Sequence, residues 1–312
     1  MKYLCVGEVV IDFTSTGDLA FQGHPGGSSL NVAVAVARLG GEVGFAGQMS
    51  TDMFGERVLE HLAANHVNTT FVERSDAPST LGFVTERDGD AEFSFMANGA
   101  ADTLYDPRPR PGFPAEVSYL QFGSIGLLHE PASTTITELV AEHREQCTIV
   151  FDPNVRPALI TDQARYLEQF SDWLALADVV KLSARDLGWV HPDRAEAAAG
   201  EWLKQGPRSV IVTEGADGAR WFRVGHQPVA VPGLPVTVVD TVGAGDAFTG
   251  AVMVALAERS AGDGSALSDT EAEAVMRRGV AAATLNCTRS GADPPKRNEL
   301  DAFLAELSAS SS

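Results

Sequence analysis

Short apolar runs bounded by Gly, Asp or Pro recur along this chain and alternate with longer segments of helical spacing. The runs are Tyr3-Leu-Cys-Val6, Glu42-Val-Gly-Phe-Ala46, Ser118-Tyr-Leu-Gln-Phe122, Thr148-Ile-Val-Phe151, Asp178-Val-Val-Lys-Leu182 and Ser209-Val-Ile-Val-Thr213. Each reads as a strand buried on both faces. Between them, residues 29–39, 55–64, 132–146, 164–177 and 195–204 repeat apolar positions at helical spacing. Strand and helix in alternation predict an α/β fold, a doubly wound and mainly parallel sheet with helices on both faces. In such a sheet ligands collect at the carboxyl ends of the strands. Residues 11–22 and 80–97 break the rhythm, the second alternating around an Asp88-Gly89 turn as hairpins do. These strands predict a small separate β-sheet, a lid inserted into a single domain spanning 1–312. A plain surface hairpin is the other reading.

Charge narrows the partners. Twenty-three basic against 42 acidic residues give −19, a surface that repels nucleic acid and anionic lipid. The three cysteines, Cys5, Cys147 and Cys287, are widely spaced among apolar residues and read as small core residues. The seven histidines form no zinc-like pair with them. Met1 leads directly into a strand, without the apolar region of a signal peptide, and no stretch is long and apolar enough for a membrane span. A soluble cytoplasmic protein with only the last serines untethered is expected.

The segment Val236-Thr-Val-Val-Asp240-Thr-Val242-Gly243-Ala244-Gly245-Asp246-Ala-Phe reads as a strand, a glycine turn and an amphipathic helix to about Glu258. At the helix start, the N–H groups of Gly243, Ala244 and Gly245 can converge on an anion, favoured by the helix dipole. That supplies positive potential which an acidic chain otherwise lacks. Asp246 has two readings, a first-turn aspartate stabilising the helix or a general base taking a proton from a hydroxyl beside developing phosphoryl charge.

Two long motifs decide between them. Gly26-Gly27-Ser-Ser-Leu-Asn31 through Arg38-Leu-Gly40, followed by Gly47 to Gly55, resembles the first signature of the ribokinase-like (PfkB) sugar kinases, and the Asp240 to Ala251 segment resembles their second. The resemblance covers nearly the whole chain. It implies a doubly wound sheet with a β lid, a sugar or nucleoside under the lid, and ATP in a neighbouring groove. It also implies Asp246 as base, with Gly243, Ala244, Gly245 and Arg156 acting on the transferred phosphoryl group.

Physical reading and resemblance coincide at several positions. Asp12, leaving the first strand, suits two sugar hydroxyls, or caps the strand. Gly26 and Gly27 allow close backbone approach to a ligand, or form a simple turn. Asn31 offers donor and acceptor to a sugar, or is satisfied by its own helix. Phe95 of the lid and Asn154, in Phe151-Asp-Pro-Asn154-Val-Arg156, complete the implied substrate set. Arg156 suits phosphate, or is a surface residue. Lys181, one of four lysines, either reaches the cleft or lies with its stem buried and its head in water. Ser183 and Asp186 occupy the family's magnesium-associated unit, with a shorter acid than its usual Glu, holding Mg2+ through water. Thr213, Gly215 and Gly218 resemble the nucleotide-facing turn, or form a plain β-turn, and Asn286 lies in the segment that flanks adenine. Backbone carbonyls near Asp240 and Val242 imply a monovalent cation such as K+, and the exposed lid implies a homodimer interface.

Within the family the segments look most like fructokinases. Ala97 stands where those usually carry Arg. A 2-keto-3-deoxygluconate kinase is the nearest alternative, followed by ribokinase and nucleoside kinases. A non-catalytic sugar- or nucleotide-binding protein would need no base at Asp246. A dinucleotide oxidoreductase would place its glycine turn after the first strand, not late in the chain.

Overall fold

A computed structural model describes residues 1–87, 90–192 and 195–310. The Asp88-Gly89 turn of the expected hairpin and the terminal Ser311 and Ser312 lie outside the described residues. In chain order the elements are β1 (Tyr3–Val6), β2 (Val10–Gly17), β3 (Ala20–Gly26), α1 (Ser28–Arg38), β4 (Val43–Ser50), α2 (Met53–Ala64), β5 (Asn68–Ser75), β6 (Thr80–Arg87), β7 (Asp90–Met96) and β8 (Tyr119–Gly123). There follow α3 (Ala132–His143), β9 (Thr148–Asp152), α4 (Gln163–Leu176), β10 (Val179–Ser183), α5 (Ala184–Val190), α6 (Ala195–Trp202), β11 (Ser209–Thr213), β12 (Ala219–Arg223), β13 (Val229–Val231), α7 (Ala244–Glu258), α8 (Asp269–Cys287) and α9 (Arg297–Ser310).

Among the described residues the main sheet has nine strands in the order β13-β12-β11-β10-β9-β8-β1-β4-β5. It is parallel from β11 to β5, and β12 and β13 extend it antiparallel. Side chains along its strands alternate between two cores, as a period of two demands. Tyr3, Cys5, Phe45, Val150, Val179 and Ile211 meet α1, α2, α7 and α8 on one face. Leu4, Val6, Ala46, Ile149, Phe151, Val180 and Val210 meet α3 to α6 on the other. This is the doubly wound arrangement that the sequence predicts.

The lid is a second sheet in the order β3-β2-β6-β7, with β2 parallel to β6 and both outer pairs antiparallel. Alternation gives the lid two characters. Phe13 stacks on Phe83, and Phe54 of α2 meets Phe13 edge-on, with centroids 5.1 and 5.8 Å apart. Asp12, one residue earlier, projects from the opposite face.

Three sequence expectations fail among the described residues. α7 is buried from Asp246 to Ala257 and so is not amphipathic, and α9 continues through Ser308 to Ser310, which are therefore not untethered. Residues 236–240 form no strand; the segment is irregular, and Val236, Val238 and Val239 are exposed. The valines suit a strand, but among the described residues no neighbouring strand offers a ladder. Val239 and Asp240 direct their N–H groups to the Cys287 carbonyl at the end of α8 instead.

The packing of α1 against α7 sets the site. A Cβ on Gly250 would lie 2.7 Å from the Ala35 Cβ and 3.2 Å from the Val36 nitrogen. Only a glycine lets the two helices approach this closely, and their N-termini consequently meet at the edge where β1 ends.

Candidate active site

Asp246 occupies the first turn of α7 and is buried, with 7% of its surface exposed. Gly243 caps the helix in the left-handed region, at φ 76°. Both carboxylate oxygens have partners from α1. The Ser28 hydroxyl donates to Oδ1 at 2.7 Å and the Asn31 amide to Oδ2 at 2.9 Å. Burial pushes the Asp246 carboxyl above the usual range; the Ser28 and Asn31 hydrogen bonds and the Lys181 charge oppose this, while Asp152 adds to it. A buried, elevated carboxylate with a fixed plane is suited to accepting a proton.

The lid contributes Asp12, whose carboxyl burial pushes up to about 6, with Arg156 drawing it down and Asp246 and Glu8 pushing it further up. A Cβ on Gly26 would collide with the Asp12 carboxylate, and one on Gly82 would lie 3.0 Å from both Asp12 Oδ1 and Phe95 Cε1. Asp12, Gly26 and Phe95 therefore come together beneath the lid. Gly27, at φ 109°, precedes α1 with the Glu8 carbonyl 2.6 Å from where its Cβ would sit. Asn31 also reaches the site, though its amide nitrogen goes to the base.

Several expected contacts are corrected. The Lys181 head lies neither in water nor free at the cleft. It is buried in an ion pair with Asp152 at 2.9 Å, and 2.8 Å from the place a Cβ would take on Gly245. It thus lies beneath the glycine turn. The Ala244 N–H points to the Thr241 carbonyl at 3.3 Å, which leaves Gly243 and Gly245 better placed to receive an anion. Arg156 folds back on its own loop, donating to the Asn154 side-chain oxygen at 2.7 Å and to the Asn154 and Val155 carbonyls. Asn154 takes a left-handed conformation, at φ 38°, and its side-chain oxygen is thereby engaged with Arg156.

On the nucleotide side, Asn286 is completely buried and donates to the Val242 carbonyl at 2.7 Å, holding the turn from behind instead of facing a groove. That bond occupies one lone pair of the carbonyl expected to bind a monovalent cation. Asp240 ties the same region together by accepting from the Val242 N–H at 3.0 Å and the Gly291 N–H at 2.8 Å. Ser183 and Asp186 form a reciprocal capping box at the start of α5, which accounts locally for their spacing. The Thr213 hydroxyl donates to the Leu182 carbonyl at 3.4 Å. Gly215, at φ 60°, faces open space, whereas a Cβ on Gly218 would strike the backbone of residues 231–233. Gly218 is thus required by packing.

Sequence reasoning missed three residues. Ser28 holds the base. Glu8, buried after β1, accepts from the Ser28 N–H at 2.7 Å and the Gly126 N–H at 3.3 Å. Asp152 pairs with Lys181 and accepts from the Thr249 hydroxyl at 3.2 Å, while its buried Oδ1 has no hydrogen-bond partner among the described residues. The Asp-Pro-Asn run after β9 was the available signal for Asp152. Ser28 lies inside the Gly26 to Asn31 motif, but nothing local marks its hydroxyl as a partner of Asp246.

A buried carboxylate beside a helix-terminal anion site, facing a lid that presents a second acid, is equipped to move a phosphoryl group onto a hydroxyl. The fold and the site define that class, a small-molecule kinase. The profile described as pfkB family carbohydrate kinase matches residues 2–299, and the chain belongs to this family. A fructokinase from Rhizobium leguminosarum bv. trifolii is 35% identical over 259 residues, covering 81% of this chain and 79% of its own. The structure of a fructokinase with bound ATP from Xylella fastidiosa superposes with a TM-score of 0.89 at 29% identity, covering 98% of this chain and 99% of its own. An aminoimidazole riboside kinase from Salmonella enterica, solved with aminoimidazole riboside and an ATP analog, gives 0.85 at 28% identity, over 97% of this chain and 100% of its own.

Proposed function

We propose that this chain is an ATP-dependent fructokinase in which Asp246 is the general base. The observation that carries the reading is the Asp246 carboxylate, buried at the start of α7, held through both oxygens and adjoining the lid acid Asp12. Similarity to fructokinases over about four-fifths of the chain supports the sugar.

The hydroxyl of the sugar, oriented by Asp12 under the lid beside Gly26, Gly27 and Phe95, gives its proton to Asp246 as its oxygen attacks the γ-phosphorus of ATP. Bond formation to the sugar oxygen accompanies cleavage of the bond to the ADP oxygen, and no phosphoenzyme intervenes. The N–H groups of Gly243 and Gly245, with the Lys181 ammonium beneath them, stabilise the equatorial oxygens. Arg156 joins them on leaving Asn154. The nucleotide lies across Thr213, Gly215 and the exposed Val236 to Val239 segment.

Among the described residues no cluster of three acid, His or Cys side chains forms a metal cage. Mg2+ keeps its waters and binds through one or two carboxylates and the phosphates. Asp186 would hold those waters, and the ion would neutralise phosphate charge. A monovalent cation at the carbonyls of the Asp240 to Val242 loop, a homodimer through the lid and a cytoplasmic location belong to the same proposal. Among the described residues, no helix is long and apolar enough to cross a membrane.

The test is coupled ADP release across fructose, 2-keto-3-deoxygluconate, ribose, adenosine and aminoimidazole riboside. Fructose should give the highest kcat/KM. Asp246→Asn should fold and bind sugar while losing about 10²–10⁴-fold in kcat, and near-normal turnover in that variant would overturn the assignment.

A further inference from the structure

The surroundings of Asp246 make its charge costly. Asp152 on β9, Asp12 on β2 and Glu8 after β1 all face it with like charge, the Cys5 thiol adjoins it from β1, and the Lys181 ammonium on β10 opposes them. Lys181 is shared with Asp152 at 2.9 Å. The remaining compensation comes from two neutral donors on α1. Of these, the Ser28 hydroxyl makes the shorter bond, 2.7 Å to Oδ1.

Ser28 is itself immobilised. It is 5% exposed, and its backbone N–H donates to Glu8 Oε1 at 2.7 Å. The other Glu8 oxygen accepts from the Gly126 N–H. The Ser28 backbone is thus held where its hydroxyl donates to one oxygen of the carboxylate while Asn31 donates to the other. Each carboxylate oxygen keeps a further lone pair for an incoming hydroxyl.

We propose that Ser28 is a positioning residue for phosphoryl transfer, whose hydroxyl, bonded to one carboxylate oxygen, fixes the plane of Asp246 for the acceptor hydroxyl. The assignment rests on the reading of Asp246 as the base. A hydrogen bond to the charged form lowers a carboxyl pKa, so its removal must raise it. A serine that served only the first turn of α1 would have no such effect.

The experiment is the pH dependence of kcat/KM, with MgATP saturating, on whichever sugar the ADP-release panel selects. Ser28→Ala and Ser28→Gly are two hydroxyl-free variants, and Ser28→Thr keeps the donor. The acid limb should move up by about one pH unit in both hydroxyl-free variants, with the alkaline plateau within several-fold of the parent. Ser28→Thr should return the midpoint to the parent value. A uniform loss at every pH, or a midpoint unmoved to within about 0.2 units, overturns the proposal while leaving the base intact. Full activity of Asp246→Asn, or no turnover of any sugar by the parent, removes the base reading and this proposal with it.

Discussion

Replacing Gly243 by Ala tests whether the turn at α7 is as tightly determined as the geometry implies. Two costs add. The residue sits at φ 76°, and a left-handed conformation costs a non-glycine residue roughly 1–2 kcal/mol. The new Cβ would lie 2.5 Å from the Ala292 Cβ and 2.8 Å from its Cα. Ala292 must therefore retreat by roughly 1 Å to reach ordinary contact. No rotamer can absorb this, because one of the obstructing atoms is backbone. The retreat pulls on Gly291, whose N–H is bonded to the Asp240 carboxylate at 2.8 Å, a charge-assisted bond worth about 1.5–3 kcal/mol. The total is about 2.5–5 kcal/mol. Gly215→Ala is the control, with φ 60° and, beyond its chain neighbours, no described atom within 4 Å of its Cβ, and should cost only the left-handed penalty of roughly 1–2 kcal/mol. Urea unfolding of both variants measures the difference. The Gly243 variant should also lose about 10²-fold or more in kcat as its N–H groups leave the phosphoryl site. Adding Ala292→Gly should recover part of the stability. If Gly243→Ala costs no more than Gly215→Ala to within about 0.5 kcal/mol, the close approach of Ala292 is not a constraint and the reasoning fails.

Two further predictions concern buried charge. Lys181→Met leaves Asp152 buried without its cation and should destabilise the protein by about 3–5 kcal/mol. The double variant with Asp152→Asn should cost less than Lys181→Met alone, read as a higher Tm. Asp102 is pushed up to about 7, chiefly by burial, with the Glu8 charge adding and the Thr80 hydrogen bond opposing. From about pH 4 to 7 the native state thus holds a proton that the unfolded chain releases, so its contribution to stability falls as pH rises through that window. Asp102→Asn keeps an oxygen for the Thr80 hydroxyl, bonded to Oδ1 at 2.5 Å in the parent. It should be more stable than the parent at pH 8 and match it near pH 4, at about 1.4 kcal/mol per unit of pKa difference. Denaturant unfolding at the two pH values checks this, and equal stability at pH 8 would contradict it.

Much of this architecture was legible because its signals are local. Tyr3–Val6 and Ser209–Thr213 are strands over the same residues that their apolar runs predict. The valines of residues 236–240 carried the same signal and misled. Strand formation needs a partner as well as a propensity, and the nearest acceptor there is the end of a helix. Gly243 and Asp246 were legible as a pair, because a helix N-terminus imposes its chemistry within one turn. Lys181 was legible as unusual but not as paired. Its partner is 29 positions away and meets it only because β9 and β10 are neighbours.

The sequence by itself determined the layers, the order of strand and helix, and the turn that presents an acid to an anion. These depend on periodicity and backbone freedom, which are properties of a few consecutive residues. The tertiary structure decided what surrounds the acid. Ser28 and Asn31 reach Asp246 across 218 and 215 positions, and they do so because Gly250 lets α1 lie close against α7. A buried polar group must find its partners wherever packing places them. The state of the Asp246 carboxylate is therefore a property of the assembled fold.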